Sequence, residues 1–546
     1  PEVENKYELL KAYMQKVVAA HQEENPFDQF FFFAGHGYNS ESMVARLDEQ
    51  VVLTQQLLGN PNINYMDHSM ADIIKFQYMS ELQRPELDMA IVHHHGGEQT
   101  EYLSGGPKTD SYMVQIEMIQ QYLRGRLQRT DDAKEMREVK KSFMERYDLP
   151  SSWFDGVSDP VIMKKDSIFA ADLDLIVEDF EIYDYKPNVR FIIFDACYNG
   201  SYHYDEYVAG SYISAFGKTV ATQGNTVNSI QDKWPQEFIG LLSLGMRVGE
   251  WNKLVCYLET HIIGDPTYRF SSVDPSLDIQ KLAVSKTSNN TWLGLLDSEY
   301  IDVQAYALRR LFENDYEKIS ELLLNTYKTS VYGSVRTECL ILSSKINDEN
   351  FIEILKLALF DDYELIQRFA VKMAGDSGDE ELIPSMIALG FINMSERIEF
   401  NYSNNIGFFD DEKLLAEFDK QVPEVKSIIK AEEIIPQIRK VFEKSNERYD
   451  ETIEVITNSE SSQRSLYNNI RNLRNYNYHQ GVPGFLKFLD ESEDQELRQM
   501  LIEALGWFNL SFEKQQIIDY CNKLANDEAE PEEIRQEAKK TVLRLG

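Results

Sequence analysis

The stretch Phe191-Ile192-Ile193-Phe194-Asp195-Ala196-Cys197 decides how this chain is read. Four apolar residues in a row, without alternation, describe a strand buried on both faces, the pattern of a parallel sheet covered by helices. Three other runs have this form. Phe30-Phe31-Phe32-Phe33-Ala34 leads into Gly35-His36-Gly37, Met89-Ala90-Ile91-Val92 leads into His93-His94-His95-Gly96-Gly97, and Thr219-Val220-Ala221-Thr222 ends near Gly224. Helical periodicity lies between the runs, as in Ser42–Leu58, and residues 5–20 form a short amphipathic helix. This alternation predicts a mostly parallel sheet with helices on its faces.

Outward from the sheet, the pattern changes twice. Between the second and third runs, Met113, Ile116, Ile119, Leu123 and Leu127 share one helix face, and Met136, Val139, Phe143 and Tyr147 share another. A helical insertion over about 108–185 is expected, most simply as packing helices. After residue 272 the strand signals stop. A weak motif then recurs, an aliphatic residue followed by Gln or Arg, with a mostly small apolar residue four positions after the first. It appears at Val303/Ala307, Val335/Cys339, Ile366/Ala370, Leu497/Leu501 and Ile534/Ala538. Intervals of 335 − 303 = 32, 366 − 335 = 31 and 534 − 497 = 37 residues are those of stacked helix pairs, similar to HEAT repeats. Residues 396–465 break the rhythm, as an insertion or a degenerate repeat. The expected organisation is an N-terminal helix (1–27), an α/β domain (28–272) and an all-α solenoid (273–546).

Composition narrows the classes. Of 546 residues 43% are hydrophobic, enough for more than one packed core, and the net charge of −36 opposes binding to nucleic acid or anionic lipid. No apolar run reaches the ~18 residues of a membrane-spanning helix. Pro1 at the start, in place of Met, leads us to expect a processed or trimmed chain. The four cysteines are scattered, with no metal-ligand or disulfide spacing. Cys339 falls on a repeat core position and Cys256 follows helical Trp251…Val255, so both are expected to be buried.

Ligands of an open parallel sheet sit beyond the carboxyl ends of its strands. Three runs end there in reactive groups: His36, the His93–His95 series and Cys197. A thiol at one strand end and an imidazole at a neighbouring one is the pairing nucleophilic catalysis needs, because the imidazole favours the thiolate and returns its proton to the leaving group. A metal shared by His93 and His95 has no further ligand set to complete it.

Apolar strand–His–Gly followed by apolar strand–Asp–Ala–Cys resembles the caspase/legumain/gingipain clan of cysteine peptidases. The match is nearest to the gingipain-like family in Ala196-Cys197-Tyr198-Asn199-Gly200, His95-Gly96, Thr219-Val220-Ala221 and the closing Gly264-Asp265-Pro266-Thr267, over roughly residues 28–272. The resemblance implies a caspase-hemoglobinase-like α/β domain and a peptidase acting on protein or peptide substrate. Cys197 would be nucleophile and His95 general base, with the Gly96 and Cys197 amides as oxyanion hole. His36 is the alternative base, and Glu98 and Asp67 are loose candidates for orienting His95. Thr222, Gly224 and Trp234 are candidate pocket residues. His203, in a Tyr-rich loop, is expected at the surface or in the pocket wall. No cofactor is required, although relatives hold structural calcium, to which Asp205 and Glu206 could contribute. The resemblance leans towards an extracytoplasmic setting, with the cytosol also compatible. The helical tail is expected to bind a protein partner or the substrate. An inactive caspase-like scaffold is the alternative, and the intact His-Gly and Ala-Cys pair argues against it.

Overall fold

A computed structural model describes residues 3–36, 47–59, 61–71, 73–104, 109–228, 234–444, 447–458 and 460–546. Part of the expected 42–58 helix, together with Gly37, lies outside them. The chain divides into two compact units, Pro1–Thr287 and Ser288–Gly546.

The first unit is built on a six-stranded sheet of order β2-β1-β3-β7-β8-β9, with β1 Gln29–Ala34, β2 Asn62–Asp67, β3 Met89–His93, β7 Phe191–Asp195, β8 Ala221–Asn225 and β9 Thr260–Gly264. The first five are parallel, and β9 closes one edge antiparallel to β8. The four apolar runs supply β1, β3, β7 and β8. On one face Phe31, Phe33, Ala90, Val92, Ile192 and Phe194 pack with Tyr78, Leu82 and Tyr212 from helices Lys75–Leu82 and Val208–Ser214. The other face is also covered, with Phe191 edge-on to Trp251 of helix Val248–Val255. Strands buried on both faces explain why these runs carry no alternation.

The sequence pattern did not disclose two edge strands or a small second sheet. β2 alternates exposed Asn62 and Asn64 with half-buried Ile63 and Tyr65, as an edge strand does. The second sheet, antiparallel, joins β4 His95–Gly96, β5 Thr100–Tyr102 and β6 Leu175–Ile176. Helix Val3–Gln22 belongs to this first unit: Lys16 Nζ donates to the Ile213 and Ala215 carbonyls and His21 meets Asp265 at 2.7 Å. The Gly-Asp-Pro-Thr segment is an ordered turn, with the Thr267 amide and hydroxyl both donating to Asp265 Oδ1.

The insertion forms helices Tyr112–Gln128, Ala133–Tyr147 and Pro160–Leu173, with its own small core around Leu123, Leu127 and Phe154. The first unit runs past the expected boundary at 272, because the Val273 amide donates to the Ser243 carbonyl and the Arg247 amide to Gln280 Oε1.

The second unit is helical from Asn289 to Leu545. All ten motif positions, Val303/Ala307, Val335/Cys339, Ile366/Ala370, Leu497/Leu501 and Ile534/Ala538, are buried, so the repeat marks the seam between helices. Residues 396–465 continue as helices Glu396–Asn405, Asp411–Gln421, Ala431–Glu443 and Glu447–Thr457 with different spacing. Cys339 and Cys521 are buried, whereas Cys256 is exposed, against expectation: it caps helix Val248–Val255 in an extended conformation and leaves the packed face.

Candidate active site

The parallel register brings the reactive groups to one edge of the sheet. His93 pairs with Asp195 across the neighbouring strands β3 and β7. His95 and Cys197 each lie two residues beyond that pair. Strands in a sheet lie about 4.8 Å apart, so equal extension past a register pair keeps the two chains adjacent. The contact persists beyond the sheet, since a Cβ added to Gly96 would stand 2.2 Å from the Cys197 carbonyl oxygen. Only glycine permits that approach. Asn199, fully buried, donates from Nδ2 to the Gly97 carbonyl at 2.7 Å and the Thr100 carbonyl at 3.0 Å, pinning the β4–β5 hairpin to the loop after Cys197.

That loop is tightly made. Tyr198 has φ of +56°, a left-handed conformation that costs a side-chain-bearing residue on the order of 1 kcal/mol and turns the chain directly after the thiol. Its amide donates to the Val227 carbonyl and the Gly200 amide donates to the Asn225 carbonyl. Gly200 and Gly224 cross so closely that a Cβ on either would collide with the other's backbone. Asn225 donates from Nδ2 to the Ala196 carbonyl at 2.9 Å. The residues around the half-buried Cys197 are thus fixed from two neighbouring strands.

The three consecutive histidines separate. His93 Nδ1 lies 2.6 Å from Asp195 Oδ2, both buried. His94 points into the opposite layer, where its Nε2 lies 3.3 Å from Glu101 Oε2 and its Nδ1 donates to the His95 carbonyl at 2.8 Å. His95 is half-buried. Burial first, then the neighbouring His36 and His94, holds its pKa below the ordinary histidine value. His36 is exposed, with its ring 6.4 Å from that of His95 and 5.8 Å from that of His68. Both candidate bases therefore stand at the same sheet edge.

Other predicted residues are placed as follows. Asp67 accepts from the Ser69 amide and faces His68 at 3.5 Å, and the Glu98 carbonyl accepts from the Val208 amide. Thr222 shares register with Ile192 and is fully buried, and Gly224 packs on Gly200, so neither presents a wall to solvent as expected. Trp234 is 4% exposed and lines a cavity of about 30 Å³ with Asp195, Gln223 and Asn225. Of the expected 222–234 pocket segment, residues 229–233 lie outside the described residues. His203, Asp205 and Glu206 are exposed. Among the described residues, no group of three or more His, Cys, Asp or Glu side chains could hold a metal ion, and no helix is long and apolar enough to cross a membrane.

Sequence reasoning missed Glu101, Tyr78 and Tyr212. Tyr78 Oη donates to Glu101 Oε2 at 2.6 Å and Tyr212 Oη to Glu101 Oε1 at 2.9 Å, all fully buried. They lie on three elements and share no local motif.

No family model matches the chain, and no curated protein matches it. Among solved structures, it is similar to a chain of the complex of CpcE and CpcF of phycocyanin lyase from Nostoc sp. PCC7120, at 12% identity and a TM-score of 0.23, over 50% of this chain and 98% of that one. A likeness at that TM-score carries no argument about either unit.

Proposed function

We propose that this chain is a cysteine endopeptidase in which Cys197 attacks the scissile carbonyl and His95 serves as general base and then acid. The observation that carries the reading is the level placement of the two residues, each two positions beyond the His93–Asp195 register pair, with Gly96 packed on the Cys197 carbonyl. In such a dyad a neutral imidazole takes the proton from the thiol and returns it to the leaving amine. A His95 pKa below the ordinary value keeps the ring neutral, and able to accept a proton, at neutral pH. The close-packed Gly96 and the fixed 196–200 loop suit their amides to stabilising an oxyanion, a role worth several kcal/mol when donors are preorganised. The buried repeat positions suit the second unit to a HEAT-like solenoid that presents an extended surface to substrate or a protein partner. The domain is read as caspase-like on the same grounds.

The test is labelling with a peptidyl electrophile directed at thiols, comparing the wild type with Cys197→Ala, His95→Ala and His36→Ala. Selective modification of Cys197 that is lost in Cys197→Ala and strongly slowed in His95→Ala is the expected result. Slowing in His36→Ala with His95→Ala unaffected would move the base to His36. Labelling that ignores Cys197 would end the peptidase reading.

A further inference from the structure

Directly behind the candidate base lies a buried charged group that the dyad chemistry does not use. Glu101 pairs across the β4–β5 hairpin with Gly96, so its main chain belongs to the element that carries His95. Its side chain turns inward and is fully buried. Two phenols donate to it, Tyr78 to Oε2 and Tyr212 to Oε1, so both oxygens act as acceptors, as those of a carboxylate do. His94, also fully buried in its side chain, comes to 3.3 Å of Oε2. This is a charge contact rather than an aligned hydrogen bond, since His94 Nε2 has no hydrogen-bond partner. The proton on the other ring nitrogen is fixed by its acceptor: Nδ1 faces the His95 carbonyl at 2.8 Å, and a carbonyl only accepts. With Nδ1 protonated and a carboxylate against Nε2, the buried pair is neutral overall only if Nε2 carries a proton too. A lone buried carboxylate would cost several kcal/mol.

We propose that Glu101 and His94 form a buried carboxylate–imidazolium pair that positions the dyad, with Glu101 holding His94 in its cationic form and His94 holding the His95–Gly96 peptide by its carbonyl. The inference rests on the peptidase reading for its consequence, though not for the pair itself. The pair joins four elements: helix Lys75–Leu82 through Tyr78, helix Val208–Ser214 through Tyr212, β5 through Glu101 and the β3–β4 junction through His94. The other titratable groups coupled to it are Tyr185, which interacts with Glu101, Asp174, which interacts with His94 and with Lys75, and His95, whose pKa His94 lowers. Asp174 Oδ1 accepts from the Leu103 amide at 2.8 Å, just beyond β5, so the far end of the hairpin is anchored as well. Burial, together with the Glu101 charge, raises the ionisation of Tyr78 and Tyr212 well above the ordinary phenol value, which keeps both as donors.

The experiment uses the full chain with ¹⁵N-labelled histidine, His94→Gln giving the assignment. In the wild type the His94 ring carries protons on both nitrogens at pH 7. Glu101→Gln makes that ring neutral at pH 7. In parallel, Glu101→Gln and His94→Gln slow peptidyl-electrophile labelling of Cys197 on the order of 10- to 100-fold, the scale on which a misplaced catalytic group is felt. Glu101→Asp restores part of the rate. Tyr78→Phe keeps the carboxylate and removes one of its neutral donors, so the His94 ring still carries both protons at pH 7; it serves if Glu101→Gln does not fold, and a ring that turns neutral in it overturns the pair. A neutral His94 ring in the wild type at pH 7 would overturn the pair. A neutralised His94 with an unchanged labelling rate would overturn the positioning role alone. Absence of Cys197 labelling in the wild type would overturn the peptidase reading and leave the imidazolium measurement to judge the pair.

Discussion

A Cβ on Gly96 would stand 2.2 Å from the Cys197 carbonyl oxygen, whereas one on Gly97 would meet nothing closer than the Tyr102 ring at 3.6 Å. These neighbours therefore answer differently to one added methyl group. Gly96→Ala is expected to push the hairpin off the Cys197 loop and slow peptidyl-electrophile labelling on the order of 100-fold, while a small alkylating reagent still reaches the thiol. Gly97→Ala stays near the wild-type rate. Equal rates for the two variants would mean that the close approach does not matter. The same scale carries a pH prediction. His95 is held below the ordinary histidine value by burial, then by His36 and His94. Removing the His36 charge with His36→Asn lets the His95 pKa rise. A base must be neutral to act, so the acid limb of the kcat/KM profile should move to higher pH. An acid limb that stays put or moves lower contradicts that coupling.

Among the elements, the central strands were legible and the edges were not. Ile193 in β7 is 2% exposed and sits in register between Ile91 and Gln223, so both its neighbours and its own hydrophobicity announce it. Ile193→Ala should cost about 2–5 kcal/mol, seen as a lower urea midpoint with unchanged slope. A loss below about 0.5 kcal/mol would place the side chain outside the core. Strand β2 was missed because only one side of it is covered, and polar Asn62 and Asn64 occupy the open side. The His95–Gly96 and Thr100–Tyr102 hairpin was missed because two- and three-residue strands leave no periodicity to read. The candidate site shows the same division. Cys197 and the three histidines stand at the ends of apolar runs, where chemistry is expected. Glu101 meets Tyr78 and Tyr212 only because the chain folds, over separations of 23 and 111 residues. Cys256 failed for a local reason: amphipathic spacing places a residue on a helix face, but a capping residue has already left that helix.

At the scale of the whole molecule, each unit is compact by itself, and the helical one contains a titratable group that its fold holds neutral. His479 is fully buried, with Nδ1 2.7 Å from Ser511 Oγ and Nε2 2.9 Å from the Gly375 carbonyl. The carbonyl requires the proton on Nε2, so Nδ1 accepts from Ser511 and no nitrogen is left for a second proton. The Phe512 amide donates to the Ser377 carbonyl beside it, so this histidine joins segments more than 100 residues apart. Burial pushes its pKa from 6.5 down to about 4. The sign follows from linkage: the unfolded chain takes up a proton below about pH 6.5 and the folded one does not until about 4, so stability is full above 6.5 and drains as the pH falls towards 4. At 1.36 kcal/mol per pH unit, acidification from pH 7 to 5 should remove about 2 kcal/mol from the opening free energy of this junction. Hydrogen exchange at the Gly378 and Phe512 amides, corrected for intrinsic rates, measures it locally. In His479→Gln, which keeps a donor for the Gly375 carbonyl but cannot titrate, the junction opens more readily at pH 7 and the pH-dependent part disappears. If the same loss between pH 7 and 5 persists in that variant, the acid sensitivity belongs to other groups, and His479 serves the helical unit as a hydrogen-bonded spacer alone.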